Sequence, residues 1–205
     1  MAGIFITLEG IDGAGKSTQA GRLAQWLEER TGRKTVRTFE PGGWPGGNSL
    51  REFILNGRGF SAMSELLMFL ADRAEHVSRV ILPSLRQGHN VICERWNEST
   101  LAYQSGGHEL NPAHVKRIIN ACNFPEPDAK ILIDISPETA IERVKSRKNN
   151  PDKFEAEGLA FMKTVAGFYR LIAESEPGKF IVVKSDGLNE DEVFAAITSR
   201  LEAMT

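Results

Sequence analysis

Cysteine is nearly absent from this chain: Cys93 and Cys122 are the two thiols in 205 residues. Their spacing makes neither a metal-ligand pattern nor a disulfide framework. Cys93, in the apolar run around Val91 and Ile92, is expected to be a small core residue. Net charge is equally scarce, since 25 Lys and Arg oppose 27 Asp and Glu and leave -2. That balance exerts no general pull toward nucleic acid or an acidic membrane, so any positive potential has to be local. Basic and aromatic residues do not interleave as they would along a nucleic-acid groove. No apolar run approaches membrane-spanning length, and the amino end lacks a basic stretch followed by a long apolar one. Repeats and low-complexity linkers are missing too. These absences argue against nucleic-acid, membrane and disulfide-scaffold roles and leave a protein of a soluble, reducing compartment, with the cytoplasm as the expectation. With 41% hydrophobic and 25% charged residues, one α/β domain over 1–205 can bury a full core.

Against that plain background stands one run, Gly10-Ile-Asp-Gly-Ala-Gly-Lys-Ser17, followed by Thr18. An apolar stretch, Ile4–Leu8, precedes it, and a segment with helical period through Leu23 and Leu27 follows. Strand, glycine-rich loop and helix form the setting a phosphate-binding loop requires. Backbone N–H groups of Gly10, Ile11, Asp12, Gly13, Ala14 and Gly15 then point at a polyphosphate, and the helix adds the positive end of its dipole. Lys16 reaches the β and γ phosphates of a nucleotide, and the Ser17 hydroxyl sits on Mg2+.

Four further apolar runs, Lys34–Phe39, His89–Glu94, Ala129–Ile135 and Lys179–Val183, alternate with helical stretches near 16–31, 62–87, 111–122, 137–147, 155–175 and 189–203. The alternation predicts a parallel sheet with helices on both faces. Ser61, Asn111-Pro112 and Ser136-Pro137 read as helix starts. Ligands of such a sheet gather at the carboxyl ends of its strands, which directs attention to Glu9, Glu40, Glu94, Arg95 and Asp134.

At these positions the chain resembles the thymidylate kinase family of P-loop nucleoside monophosphate kinases. The resemblance is carried by Leu8–Thr18, Glu40-Pro-Gly-Gly43, Leu67–His76, Glu94–Gln104, Asp134–Glu138 with Arg143, and Asp152-Lys-Phe-Glu155. It implies a three-layer P-loop NTPase fold, a five-stranded parallel sheet covered by helices on both faces with a short lid at about 144–155. It implies transfer of the γ-phosphoryl group of ATP to dTMP, giving dTDP and ADP for dTTP synthesis, with Mg2+ and with a homodimer.

For the acceptor, the resemblance places Arg51 and Arg73 at bound dTMP, Arg95 at its phosphate, Phe69 on the thymine ring, and Thr100 and Gln104 at the base edge. Arg73 also stands out alone, because an arginine amid Leu66, Leu67, Phe69 and Leu70 wants a partner. Ser99 stands beside the base-edge pair and could equally cap a helix. Glu40 is assigned to the acceptor sugar or to charge pairing with Arg95. Asp12 is placed at the acceptor phosphate and the metal's water shell, and Glu94 at Mg2+ through water. From the lid, Arg147 stabilises the transferring phosphoryl group, helped by Lys153. Arg143 lies near the adenine or ribose, and Lys184-Ser-Asp186 is the adenine-side wall. Phe39, Trp44, Trp96 and Lys153 depart from the usual family residues and cluster around acceptor and lid. Two other readings remain open on the sequence: a broader deoxynucleoside monophosphate kinase, and a nucleotide-dependent regulatory ATPase switch.

Overall fold

The computed structural model describes residues 3–146 and 152–203. Runs rich in β-branched residues form the strands Phe5–Glu9 (β1), Thr35–Phe39 (β2), Asn90–Glu94 (β3), Ala129–Asp134 (β4) and Phe180–Lys184 (β5). They pair in the order β2-β3-β1-β4-β5, all parallel, with Leu8 opposite Glu94 and Ile6 opposite Ala129. The helices are Lys16–Thr31 (α1), Gly47–Asn56 (α2), Ala62–His76 (α3), Leu82–Arg86 (α4), Asn97–Thr100 (α5), Pro112–Ala121 (α6), Pro137–Lys145 (α7), Leu159–Ser175 (α8) and Glu190–Glu202 (α9).

Strand alternation sorts the two faces. Ile6 and Leu8 cluster with Leu23 and Leu27 of α1, which packs beside α9. Phe5 clusters with Val77, Ile81 and Trp96, and α8 covers β4 on that other face. Side-chain caps start the helices where the sequence placed them: Ser61 accepts from the Ser64 N–H, Asn111 from Ala113 and His114, and Ser136 from Thr139. Each such cap is worth about 1 kcal/mol.

Three expectations need correction. The stretch 62–87 is not one regular helix, because a wide π-type turn, Val77–Ile81, separates α3 from α4. The segment at 155 does not yet belong to α8. Asp152 accepts the N–H groups of Phe154 and Glu155 and holds a tight turn, and α8 starts after Gly158. Helix α2 was not foreseen, since Pro45-Gly46-Gly47-Asn48 has the composition of a loop. Of the expected lid at 144–155, residues 147–151 lie outside the described residues.

Candidate active site

All five strands end at one rim, and the chemistry-bearing residues follow them there. After Glu9 at the end of β1 the chain turns through Gly10–Gly15 into α1. Gly13, at φ 88°, lies so close to α7 that a Cβ would sit 2.4 Å from the Ala140 carbonyl oxygen. Backbone is thereby freed to wrap a ligand. Lys16 is buried and folds back on this loop, donating to the Gly10 and Ile11 carbonyls at 2.9 Å. Burial, with the neighbouring Arg95 charge, brings its ammonium down to about 8. Ser17 donates to Glu94 Oε2 at 2.6 Å, so the two expected metal residues meet across α1 and β3. A hydroxyl beside a carboxylate at the mouth of a phosphate loop fits a hard, oxygen-seeking cation. Arg143 donates to the Gly13 carbonyl at 3.4 Å, while Ala14 is buried within the loop.

Beyond the loop lies a partly open pocket of about 80 Å³. Its walls bring together Glu40, Arg51, Phe69, Arg73, Arg95, Ser99, Thr100 and Gln104, all expected near an acceptor. A roomier groove of about 380 Å³ runs over Gly13, Lys16, Ser17, Thr18 and Glu94. The two share Asp12, Glu40, Arg51, Arg95 and Asp152. Two guanidinium groups thus stand at the junction of two cavities.

At that junction Arg95, with φ 71°, reaches Asp12 at 2.5 Å and the Tyr103 hydroxyl at 3.3 Å. Tyr103 also donates to Asp12 Oδ2 at 3.0 Å. Burial works to raise the Asp12 carboxyl, but Arg95 and Lys16 outweigh it and hold the group well below the usual carboxylate range. Asp12 therefore stays ionised and orders Arg95.

Arg73, 2% exposed, is not a free fork. It spends donors on Glu40 at 2.6 Å, Asn97 at 3.1 Å, Thr100 at 3.0 Å and the Trp96 carbonyl at 3.0 Å. It is a strut between the loop after β2 and α5. Glu40 consequently pairs with Arg73 and with His76, at 2.9 Å, and not with Arg95 as one reading expected. Glu40, His76 and Cys93 bring their ligand-type atoms within 4.8 Å of one another. The Arg73 cation already occupies that carboxylate, and His76 also meets Thr38 at 2.5 Å, so the cluster is a hydrogen-bonded support beneath the cavity.

The base-side residues sit on α5 and the π-type turn Leu101–Gly107 that continues it. Thr100 and Gln104, four apart, both face the cavity. Gln104 is 1% exposed, and its Nε2 has no partner among the described residues. Ser99 lies within α5 rather than at its cap. Its hydroxyl donates to Glu9 Oε2 at 2.6 Å and lies 2.7 Å from the Tyr169 hydroxyl. Phe69 is half-buried on the cavity wall, its ring 5.9 Å from that of Phe154.

Other expected residues are not gathered in. Lys153 is bound to Glu65 at 2.5 Å and to the Gly57 carbonyl at 3.4 Å, which ties it to α3 and away from the phosphate loop. Lys184 is exposed at the end of β5. Asp186, from the same segment, accepts the Ser136 N–H and hydroxyl and so braces the loop before α7. Arg147 lies outside the described residues. Sequence reasoning missed Tyr103, Phe154, Pro41, Leu55 and Asp152 as cavity walls. Tyr103 and Phe154 lie inside quoted motifs and were findable there; Leu55 belongs to the unforeseen α2.

Comparison with known proteins gives one consistent description. The family model described as thymidylate kinase matches residues 8–197. The thymidylate kinase of Pelobacter propionicus is 39% identical over 207 residues, covering 97% of this chain and 94% of that protein. That of Ralstonia nicotianae is 42% identical over 195 residues, covering 93% and 94%. Among solved structures, a crystal structure of thymidylate kinase from Ehrlichia chaffeensis superposes with a TM-score of 0.79 at 31% identity, over 98% of this chain and 99% of that one.

Proposed function

Since the chain belongs to the thymidylate kinase family, we propose that it transfers the γ-phosphoryl group of ATP to dTMP across the junction between its two cavities. ATP is the donor and dTDP and ADP are the products, a step of dTTP synthesis. The observation that carries the assignment of residues is the shared wall, where Arg51 and Arg95 face both the phosphate-loop groove and the acceptor-side pocket. A one-nucleotide switch would have no use for the second cavity.

The reaction asks little covalent chemistry of the protein. Two anions must be aligned and their repulsion neutralised. The loop amides from Gly10 to Gly15, with Ser17 and Thr18, hold the ATP phosphates, and Lys16 leaves its carbonyl partners for them. Arg143, on the Gly13 carbonyl, is the loop-side residue left for the nucleoside of ATP. Ser17 and Glu94 would hold Mg2+, which when bound would supply positive charge to offset the negative charge of the polyphosphate. Asp12 keeps Arg95 aimed at the acceptor phosphate, and Arg51 takes its other side. The acceptor is already an oxyanion at neutral pH, so no side chain is needed as a strong base. Phe69 offers a platform for the thymine ring. The unspent Gln104 amide supports a hydrogen bond to the base edge, with Thr100 held beside it by Arg73. Arg147, which lies outside the described residues, is by resemblance the residue for the transferring group, in the expected lid at 144–155. Lys153 instead anchors the lid's carboxyl side on Glu65.

Two copies of the chain pair through α3, where Met63 and Leu67, four apart, are 41% and 52% exposed. The described residues contain no helix long and apolar enough to cross a membrane.

A coupled ADP-release assay with ATP and Mg2+ across dTMP, dUMP, dCMP and dGMP tests the function. ADP release should depend on the acceptor and be fastest with dTMP. A faster rate with another nucleotide would make this a broader kinase, and release without any acceptor would remove the kinase reading.

A further inference from the structure

The loop from Glu40 to Trp44 carries β2 into α2 and walls the acceptor-side pocket through Glu40 and Pro41. One carboxylate holds this loop. Asp72 of α3, 0% exposed, accepts the Gly42 N–H on both oxygens, at 3.0 and 2.9 Å, and the Trp44 indole N–H at 2.8 Å. The outer face of Trp44 is covered as well, with the Arg79 guanidinium 5.2 Å from its ring and Arg79 itself paired to Glu75.

What the loop rests on is Arg51. Gly42 has φ 93°, and a Cβ there would lie 2.7 Å from Arg51 Cβ and 3.2 Å from its Cδ. Backbone thus lies flush on the arginine's stem. One residue earlier, the Pro41 carbonyl accepts from Arg51 Nη1 at 2.7 Å. The guanidinium carbon stands 5.3 Å from the Phe39 ring. A long side chain that would otherwise lose much rotamer freedom on binding is therefore caged beforehand. Phe39 completes this cage, while Trp44 meets Asp72 and Arg79 rather than Arg51 itself.

We propose that Asp72 is the positioning residue for Arg51 and that Trp44 is its latch. Through Gly42 they press the Glu40–Trp44 loop onto α2, so that affinity for the acceptor's phosphate depends on a carboxylate that never touches it. The inference rests on the reading of Arg51 as an acceptor-phosphate group.

The test compares dTMP with thymidine, which has the same base and sugar and no phosphate. Calorimetric titration of Trp44→Phe, which keeps a ring and removes the indole donor, should show dTMP binding weakened about fivefold, the scale of one hydrogen bond. Thymidine binding and the KM for ATP should not change. Arg51→Ala should weaken dTMP with the same selectivity, and adding Trp44→Phe to it should cost nothing further, because the latch acts through the arginine. Equal weakening of dTMP and thymidine, no weakening of either, or losses that multiply in the double variant would overturn the proposal. If Arg51→Ala alone left dTMP affinity unchanged, the assignment of Arg51 would fall and the latch with it. Asp72→Asn should repeat the Trp44→Phe pattern more strongly; should it fail to fold, Trp44→Phe still decides.

Discussion

Glu9 ends the central strand with a fully buried carboxyl whose hydrogen-bond partners among the described residues are the hydroxyls of Ser99, at 2.6 Å, and Tyr169, at 3.4 Å. Burial, reinforced by Glu98, pushes it up from the ordinary 4.5 to about 8, although Ser99, Arg95 and Arg73 pull the other way. Burial outweighs those cations, so the carboxyl holds its proton through the neutral range. Between pH 4.5 and about 8 the folded chain then binds a proton that the unfolded chain has lost, so this group's contribution to stability falls as pH rises through that window. Glu9→Gln, which mimics the protonated form, should remove that slope. Its melting temperature relative to the parent should climb with pH from about 5 to about 8. A gap that stays flat across the range would mean Glu9 is ionised when folded. The same scale shows why some assignments were legible and others were not. Lys16, Ser17 and Asp12 sit in a contiguous motif whose spacing dictates their neighbours. Glu40 has a partner 33 positions away, Arg73, and nothing local in the sequence selects that pairing over Arg95.

Elements place side chains by how their turns are wound. The π-type turn after α5 puts the backbone of Gly106 and Gly107 directly against α8. A Cβ on Gly106 would come within 2.6 Å of the Phe168 ring. That close approach seats Gln104 at the cavity, since a side chain at 106 would lift the whole turn. Gly106→Ala should lower stability by about 1–3 kcal/mol through overpacking, read as a lower urea midpoint at unchanged m. A midpoint equal to the parent's would show that the contact is slack. Widened turns carry no sequence signature, because residues 97–107 read equally well as ordinary helix. For the same reason, stretch 62–87 was predicted as a single helix. By contrast α1 was predictable to its ends, where Gly15 and Gly32 take left-handed φ of 94° and 66°.

The whole molecule converts a strand order into a reaction path. With β1 between β3 and β4, the phosphate loop lies beside Glu94 and Arg95 from one neighbour and near α7 from the other. Helix α3 serves both the inside and the outside: Asp72 and Arg73 grip the acceptor loop, while Met63 and Leu67 face out. Pairing of two copies through that outer face would stiffen the acceptor wall. If two copies pair there as proposed, Leu67→Glu should turn that dimer into a monomer in sedimentation velocity and raise the KM for dTMP more than that for ATP, whose loop lies on α1. A parent that already sediments as a monomer would remove the interface.

By itself the amino-acid sequence determined the strands, the phosphate loop, the capped helix starts at Ser61, Asn111 and Ser136, and the family, because each is written in residues close together along the chain: apolar period, glycine spacing and capping side chains. Only the tertiary structure decided that Glu40 belongs to Arg73, that Lys153 belongs to Glu65, that Tyr103 and Phe154 wall the cavity, and that Asp72 reaches across to Gly42 and Trp44. Those pairings join segments far apart in the chain. Their energies depend on burial and on which charge arrives first within hydrogen-bond distance, and both are properties of the packed molecule.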